Sequence, residues 1–399
     1  MNGTVIPNHY IVVLEDSVDD PGSVARAQAA AHGGRVGFVY RYALKGYSAI
    51  LGKGAVEALR NDPRVKYVTP DSVGEAGAQS TPTGVKRVFA SKNKNLAINE
   101  ENDVWVNADV AVIDSGVDFN HPDLNPTYTM DCVPPKEELI KKCVEGNGTD
   151  PAGHGTHVAG TIGAIDNNFG VVGVAPGVRI SSVRVVNSKE KTAESWVAAG
   201  IDWVTSKSEF FEVANASLWC PKCNWTVAEK AIEGAVEAGV VFVTIAGNDG
   251  ELEAKEISPA RSPDAITVGA IADYDGLAGG LSEAPPCDLT FYEILFGAEK
   301  DDTWANLSSW GPVVDIVAPG VCINSTLPGE AYGYKYGTSM AAPHVAGAAA
   351  ILAATENPEN REDVEEIRET LEETGNFEWT AEHEGPQQPL LDLSDEKIF

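Results

Sequence analysis

Three short segments carry side chains that could cooperate in nucleophilic catalysis. Asp114 follows the apolar run 110–113, His154 opens His-Gly-Thr-His-Val-Ala-Gly, and Ser339 lies in Gly-Thr-Ser-Met-Ala-Ala-Pro-His. A serine hydroxyl is a weak nucleophile near neutral pH and needs an adjacent base such as imidazole. Each segment alone has a simpler explanation, because Asp and Ser often cap helices or turns. Found together in the order Asp, His, Ser, they favour acyl-transfer chemistry over three unrelated caps.

The surroundings of Ser339 also suit this chemistry. We expect Ser339 to open a helix running through Ala342 to Leu352, which leaves its backbone N–H unpaired at the positive end of the helix dipole. Such a donor could stabilise a developing oxyanion. Pro343 is expected in the first turn of this helix, where its missing N–H has no helical partner to lose.

The elements that must position these residues alternate between buried strands and helices from about Ser80 onward. This alternation predicts an α/β fold with a mostly parallel sheet covered on both faces. Functional groups gather at the carboxyl ends of such strands, and Asp114 and Asn248 each follow an apolar run. The predicted strands are 109–113, 178–186 and 239–245, and the predicted helices include 195–207 and 226–238.

The N-terminal part has a different pattern. Residues 9–73 show the order β-α-β-β-α-β, which predicts a small α+β, ferredoxin-like domain. The small polar residues 71–79 indicate an exposed linker of the kind that proteases cut. The stretches 129–149 and 276–302 are interpreted as insertions. The acidic tail 376–399 contains an apolar patch, for which we expect an edge strand or a docked extension.

The composition narrows the classes of partner. The chain holds 59 Asp and Glu against 29 Lys and Arg, for a net charge of −30. Such a surface repels nucleic acid and anionic membranes, and we expect neither as a partner. Because the acidic residues are scattered along the chain, we interpret them as a well-solvated surface rather than as adaptation to high salt or strong calcium binding. No run of eighteen apolar residues occurs that could span a membrane.

The six cysteines fall into two close pairs and a remaining pair. Cys132 with Cys143 and Cys220 with Cys223 leave Cys287 and Cys322 as a third. The spacing of Cys220 and Cys223 also fits a zinc or redox motif, but neither a second such pair nor a histidine pair lies near in the sequence. Disulfides in an oxidising compartment are therefore the better interpretation, and we expect secretion. Met1 to His9 lack the features of a signal peptide, so the signal was removed or the protein stays inside the cell.

The three catalytic segments, in this order, resemble those of the subtilisin-like serine proteases, or subtilases. The resemblance runs from Tyr10 to about Leu352. It implies the three-layer subtilisin-like fold and a serine endopeptidase working through an acyl-enzyme. By resemblance Ser339 is the nucleophile, His154 the base and Asp114 the carboxylate that fixes the imidazole. His157 then has a structural role.

The resemblance also assigns the remaining parts of the active site. Asn248, in Ala-Gly-Asn, becomes the second oxyanion donor beside the Ser339 N–H, although an asparagine before Asp-Gly is also a common turn residue. The family's substrate-pocket walls match Ala216 to Cys220 on one side and Ile245 to Asn248 on the other. Trp219 and Cys220 stand where family members usually have two glycines, and we expect apolar side chains at P1. The expected substrate-binding residues are Ser217, Leu218, Trp219, Ala246 and Gly247.

A structural calcium site is a further implication of the resemblance. Calcium takes six to eight oxygen ligands from carboxylates, amides and carbonyls. The family's strong site matches an early Gln, the Asp of His-Pro-Asp and the loop 165–171, although Asn-Asn-Phe-Gly could equally be a simple turn. The implied ligands are the side chains of Gln79, Asp123 and Asn167 and the carbonyls of Ile165, Phe169 and Val171.

Residues 9–73 resemble the inhibitory propeptide of subtilases, of the inhibitor I9 type. The resemblance implies an intramolecular inhibitor, a processing linker at 74–79, a catalytic domain at 80–375 and an acidic extension at 376–399. We expect autocleavage between Val73 and Ser80, polypeptide substrates and a monomer. Two alternatives stay open: a catalytically silent binding protein on the same fold, and a selective exopeptidase.

Overall fold

The chain forms two compact units, Met1–Gly77 and Ala78–Phe399. The computed structural model describes residues 4–42, 44–73, 78–135, 142–146, 148–280, 282, 285–381 and 387–399. Within the predicted linker 74–79, only residues 78 and 79 belong to the described part, so residues 74–77 stay outside it. Each unit has its own buried core.

The first unit is an antiparallel sheet with two helices. Its elements are β1 (Thr4–Leu14), α1 (Pro21–His32), β2 (Arg35–Tyr40), β3 (Gly46–Ile50), α2 (Lys53–Arg60) and β4 (Val65–Val73). The strands pair in the order β2-β3-β1-β4. Asp20 caps α1 by accepting hydrogen bonds from the N–H groups of Gly22 and Ser23. The predicted βαββαβ arrangement is confirmed, with Val12, Leu14 and Tyr47 in its core.

In the part of the chain that the structure describes, the second unit is built on a nine-stranded, mostly parallel sheet. Its strands are β5 (Asp109–Asp114), β6 (Asn125–Asp131), β7 (Val144–Glu145), β8 (Arg179–Arg184), β9 (Val213–Ala216), β10 (Cys220–Pro221), β11 (Val241–Ile245), β12 (Ile257–Ser258), β13 (Ile266–Ala272), β14 (Thr303–Trp304), β15 (Ile316–Pro319), β16 (Ile323–Leu327) and β17 (Ala331–Lys335). Its α-helices are α3 (Thr83–Arg87), α4 (His154–Gly163), α5 (Glu194–Thr205), α6 (Thr226–Glu237), α7 (Thr290–Phe296), α8 (Thr338–Glu356) and α9 (Arg361–Thr374).

The parallel strands follow from the apolar runs of the sequence. Strands β6, β8, β5, β9, β11, β13 and β15 are mutually parallel, and β7 and β14 pair antiparallel at the margins. Helices α4 and α8 pack together and against the sheet, as do α5 and α6. Strands β9, β11 and β13 are buried along their whole length, as expected for a sheet covered on both faces. The three-layer α/β prediction is confirmed.

Helix α8 corrects one detail of the sequence prediction. It begins at Thr338, so Pro343 lies beyond the first turn, inside the helix. A proline there cannot donate to the carbonyl four residues earlier, which belongs to Ser339. That carbonyl instead accepts a hydrogen bond from the Ser217 hydroxyl at 3.2 Å. The proline therefore frees the backbone of Ser339 for a contact that reaches the end of another strand.

The C-terminal tail is docked into the second unit. Leu390 bridges to Val317 of β15, and the side chains of Leu390, Leu391 and Leu393 are fully buried. The N–H of Leu393 donates to the carbonyl of Val88, near the beginning of the unit. Residues 387–393 thus tie the sheet edge to α3 and the segment after it.

Three disulfides link Cys132 to Cys143, Cys220 to Cys223 and Cys287 to Cys322. This is the pairing predicted from the sequence. Within the described residues, none of the helices has both the length and the apolar character needed to cross a bilayer.

Candidate active site

The side chains of Asp114 and His154 meet where strand β5 ends and helix α4 begins. Asp114 is the last residue of β5 and is 1% exposed, while His154 is the first residue of α4. Their Oδ1 and Nδ1 atoms lie 2.8 Å apart. Since Nδ1 is engaged by the carboxylate, Nε2 of His154 is left for a different partner.

The electrostatics of the pair make the imidazole more basic. Burial is the largest influence and lowers the pKa of His154, but the charge and hydrogen bond of Asp114 outweigh it and raise the pKa above its ordinary value. The second carboxylate oxygen of Asp114, Oδ2, is buried and has no hydrogen-bond partner among the described residues. Negative charge at this position stabilises an imidazolium that forms beside it.

Asp150 positions His154, and the sequence analysis missed it. Its carboxylate accepts hydrogen bonds from the N–H groups of Gly153 and Thr156, both at 2.8 Å, and so closes the first turn of α4. Its Oδ1 also accepts a hydrogen bond from Ser115, directly after Asp114. The pattern Asp-x-x-Gly-His was a possible signal, because an Asp a few residues before a helix often caps it.

Ser339 is the second residue of α8 and is 6% exposed. The Ser217 hydroxyl that donates to its carbonyl itself accepts from the Asn215 amide at 3.1 Å. This chain of contacts connects the start of α8 to the carboxyl end of β9. The backbone of Ser339 is thereby fixed from the sheet side.

Asn248 follows β11 and is oriented by Thr338. Its Oδ1 accepts hydrogen bonds from both the N–H and the hydroxyl of Thr338, each at 2.8 Å. Because two donors hold the oxygen, the amide Nδ2 remains as the donor that Asn248 can offer to another group. Thr338 is a second positioning residue that the sequence analysis missed.

Asp114, His154, Asn248 and Ser339 border one cavity of about 470 Å³. The predicted residues that line it are Asp114, His154, Ser217, Leu218, Trp219, Asn248 and Ser339. Cys220, Pro221 and Trp225 extend one wall, and Val186, Glu190, Lys191 and Thr192, which the sequence analysis did not single out, also line the cavity. The structure therefore brings the predicted nucleophile, base and carboxylate to one open pocket.

Ala246 and Gly247, both predicted to bind substrate, are not among the residues that line this cavity. A Cβ atom placed on Gly247 would lie 3.3 Å from Cε3 of Trp219 and 2.5 Å from Cδ1 of Ile257. Trp219 also packs against the buried cluster that contains Ala246 and Ile257. The indole therefore lies against the predicted pocket wall to which Ala246 and Gly247 belong.

The second histidine of the α4 segment is fully buried. His157 Nε2 lies 3.0 Å from the Ile323 carbonyl and 3.1 Å from the Gly333 carbonyl. Burial lowers the pKa of His157 to about 3, so the ring is neutral and donates from Nε2 to the backbone. This geometry attaches α4 to the β16–β17 hairpin.

The side chains predicted to bind calcium converge elsewhere in the second unit. Asp123 accepts hydrogen bonds from the Asn167 amide at 2.7 Å and the Val171 N–H at 3.0 Å. The Gln79 oxygen accepts from the Asn167 N–H, and its amide donates to Asp166, each at 2.6 Å. The loop 165–171 thus lies against both Gln79 and Asp123, as the predicted ligand set requires.

The chemistry of these donors fits a hard cation. Asp123 and Asp166 are 0% and 2% exposed, and neither is paired with a basic side chain in the described ranges. Burial raises the pKa of Asp123 to about 6, despite hydrogen bonds from Val171, Asn167 and Tyr332 that lower it. Buried carboxylates without a counter-charge are costly, and a divalent cation would remove that cost.

A second group of carboxylates could also hold a metal ion. Oxygens of Asp273, Asp275 and Asp301 lie within 4.8 Å of one another. Asp273 and Asp301 are buried, and Asp275 is half-buried. The sequence analysis missed this group, since Asp301 is far from the other two in sequence.

Comparison with known protein families gives two matches, which cover different parts of the chain. The model of the subtilase family matches residues 107–389, and the model of the peptidase inhibitor I9 family matches residues 9–76. The second match covers the predicted propeptide, and the first includes Asp114, His154, Asn248 and Ser339.

Individual relatives agree with the family matches. Subtilisin E of Bacillus subtilis is 33% identical over 371 residues, covering 92% of this chain and 85% of that protein. A subtilisin of Bacillus pumilus is 35% identical over 302 residues, covering 75% and 93%. Among solved structures, a cold adapted subtilisin-like serine proteinase matches with a TM-score of 0.58 and 28% identity, covering 78% of this chain and 97% of that one.

Proposed function

The chain belongs to the subtilase family and is a serine endopeptidase made as a zymogen, and from this premise we propose that Asp114, His154 and Ser339 are its catalytic triad. The observation that carries the proposal is the 2.8 Å contact between Asp114 and His154 on the wall of the cavity that Ser339 also lines. The proposed substrates are polypeptides, and the proposed location, given the disulfides, is extracellular.

The proposed mechanism follows from these positions. The Ser339 Oγ attacks the scissile carbonyl carbon while His154 Nε2 takes its proton, and Asp114 stabilises the imidazolium. The negative oxygen of the tetrahedral intermediate accepts hydrogen bonds from the Ser339 N–H and the Asn248 amide. His154 returns the proton to the leaving amine, and the acyl group stays on Ser339. Water, deprotonated by His154, then releases the second product.

A fluorophosphonate probe tests the assignment, because it labels only a serine that has been activated as a nucleophile. We expect the incubated, processed enzyme to gain one label, located by mass spectrometry on Ser339. Labelling carried out at a pH low enough to protonate His154 should be slower, since a charged imidazole cannot take the proton. A folded, processed protein that stays unlabelled would favour the silent binding protein instead.

The substrate pocket is proposed to take apolar P1 side chains of small size. Subtilases bind an extended peptide as an added strand, so that the side chains of the peptide enter pockets along the groove. Here Trp219 occupies the space beside Gly247, against Ile257. A small P1 residue such as alanine fits in front of the indole, whereas phenylalanine must displace it.

Replacing Trp219 by alanine is therefore expected to change specificity. The kcat/KM for a tetrapeptide substrate with P1 Phe should rise at least about tenfold relative to its P1 Ala counterpart, because an apolar pocket worth 1–3 kcal/mol opens. Trp225→Ala is the matched control, since Trp225 borders the same cavity without lying on Gly247. A Trp219→Ala enzyme with an unchanged Phe/Ala ratio would contradict the proposal.

We further propose that the loop 165–171 holds a structural calcium ion. Its ligands would be the side chains of Gln79, Asp123 and Asn167 with the carbonyls of Ile165, Phe169 and Val171. A bound ion would supply the positive charge that buried Asp123 and Asp166 lack. Because Gln79 lies at the C-terminal end of the predicted cleavage region, between Val73 and Ser80, we propose that this site couples processing to metal binding.

Calcium removal is expected to destabilise the enzyme. For protein inactivated by a fluorophosphonate, saturating calcium should raise Tm by roughly 5–10 °C over the same sample in chelator, since an ion at high excess over its Kd adds a few kcal/mol to the free energy of unfolding. Asp123→Asn should lose most of that difference. Glu209→Gln, a change at an exposed acid, should keep it. Equal Tm values for the wild type with and without calcium would contradict the site.

A further inference from the structure

An acidic cluster lies at one margin of the catalytic sheet, apart from the triad and from the loop 165–171. Asp273 directly follows β13, and Asp275 comes two residues later. Asp301 comes just before β14, which pairs with the end of β13. The segment 276–302, interpreted as an insertion, begins and ends at this margin of the sheet. The carboxylates of the cluster therefore lie at its two ends.

The cluster contains a buried oxygen that lacks a donor. Asp273 is fully buried, and its Oδ2 accepts no hydrogen bond from any described residue. The nearest cation is Arg87, whose Nε lies 3.6 Å away, beyond hydrogen-bonding distance. Arg87 directs that Nε to Asp302 at 2.7 Å and its Nη2 to the Glu378 carbonyl at 2.6 Å. The hydrogen bonds of the arginine therefore go elsewhere, and the buried Asp273 oxygen has its charge nearby but no hydrogen-bond donor among the described residues.

The other oxygens are held in place by the backbone. The N–H of Tyr274 donates to Asp301 at 2.7 Å, and the N–H of Gly276 donates to Asp273 at 2.9 Å. Asp275 accepts from the N–H of Leu277 at 2.8 Å. Asp301 also accepts from the N–H of Ser282 at 2.9 Å. Each carboxylate is oriented by such contacts and keeps further lone pairs for an ion.

The charge around the cluster favours a divalent cation. Three clustered carboxyl groups and the neighbouring Asp302 lie near a single basic side chain, that of Arg87. Like charges this close are unfavourable in a buried site unless a proton or a cation intervenes. Asp301 also borders a cavity of about 510 Å³, with the exposed Lys300 on its lining, which provides a route of entry from solvent.

We propose that Asp273, Asp275 and Asp301 bind a calcium ion, at a site separate from that of Asp123. The ligands are all carboxylate oxygens, which suits calcium or magnesium and not zinc or copper. Calcium is the better fit, because it accepts irregular oxygen sets, whereas magnesium demands near-octahedral geometry. The ion would join the two ends of the segment 276–302 to the β13–β14 margin.

Calcium binding by the purified protein, inactivated with a fluorophosphonate, tests this proposal. Equilibrium dialysis with radioactive calcium counts the ions per chain in the wild type, Asp123→Asn, Asp275→Asn and the double variant. Asp275 is the cluster residue chosen because it is half-buried, so that its replacement disturbs packing least. We expect Asp275→Asn to bind one ion fewer, or that ion at least tenfold more weakly, and the double variant to lose both.

Asp288→Asn is the matched control, since Asp288 is an exposed acid in the same segment. It should bind as the wild type does. The proposal is overturned if Asp275→Asn retains the wild-type number of ions and affinity, or if magnesium competes for the Asp275-dependent ion at equal concentration. An Asp123→Asn variant that keeps the wild-type number of ions would count against the loop 165–171 and leave this cluster unaffected. Should Asp275→Asn fail to fold, Asp301→Asn gives the same comparison.

Discussion

Replacing Ser339 by alanine is expected to lower kcat by about a million-fold, a magnitude measured on subtilisin itself, a relative of this chain. The alanine has no nucleophilic oxygen, and His154 and Asp114 then have nothing to activate. KM should change little, because the cavity keeps its walls. The remaining rate, roughly a thousandfold above that in water, comes from the oxyanion donors and substrate binding.

The same substitution should stop maturation. The variant is expected to keep its full mass on incubation, while the wild type shortens by about the length of the first unit through a cut between Val73 and Ser80. Intact-mass spectrometry over a time course measures both chains. Ser262→Ala is a suitable control, because its buried hydroxyl makes no hydrogen bond within the described residues and lies outside the cavity.

Two results would contradict this prediction. A Ser339→Ala protein that shortens as fast as the wild type would show that another protease, or another residue, makes the cut. A variant that retains more than about one-hundredth of the wild-type kcat would remove Ser339 from its proposed role. Circular dichroism of both proteins establishes that the comparison is between folded chains.

Replacing Asn248 by leucine is expected to lower kcat by roughly 100- to 1,000-fold with little change in KM. The leucine has a similar shape but no amide donor, so the developing oxyanion loses one of two hydrogen bonds, worth about 3–4 kcal/mol, a value that also comes from subtilisin. The substrate carbonyl before reaction makes weaker use of this donor, which is why KM is spared.

Thr338 provides an internal check on this explanation. Its N–H and hydroxyl both donate to Asn248 Oδ1 and so direct the amide. Thr338→Val removes the hydroxyl donor and should lower kcat by about 3- to 10-fold, whereas Thr338→Ser keeps the donor and should restore most of it. The assigned roles would be contradicted if Asn248→Leu lowered kcat/KM by raising KM at unchanged kcat. Equal kcat values in Thr338→Val and Thr338→Ser would contradict them as well.

The sequence was most informative where local pattern determines structure. Continuous apolar runs are typical of strands buried on both faces, so β5 and β11 were predictable, and with them the placement of Asp114 and Asn248 at strand ends. The small polar residues after Val73 likewise indicated a boundary between two units. The cysteine pairs were readable because two of them are close in sequence.

Contacts between distant segments were not predictable in this way. Ser339 and Ser217 are 122 residues apart, and only the folded chain shows that the carbonyl freed by Pro343 meets that hydroxyl. The sequence shows that Trp219 is unusual in the pocket wall, but it does not show which way the side chain points. A side chain at a strand end can turn either way. Asp301 joins Asp273 only because β14 returns beside β13.

The docked tail has a consequence for the order in which the protein forms during synthesis. All strands of the first unit lie between residues 4 and 73, so that unit is complete early. The second unit needs Leu390 to Leu393 beside β15 and against Val88, and these residues leave the ribosome long after Val73. The inhibitor unit can therefore fold while hundreds of residues of the protease are still to be synthesised. A nascent chain whose protease unit is complete already carries its folded inhibitor.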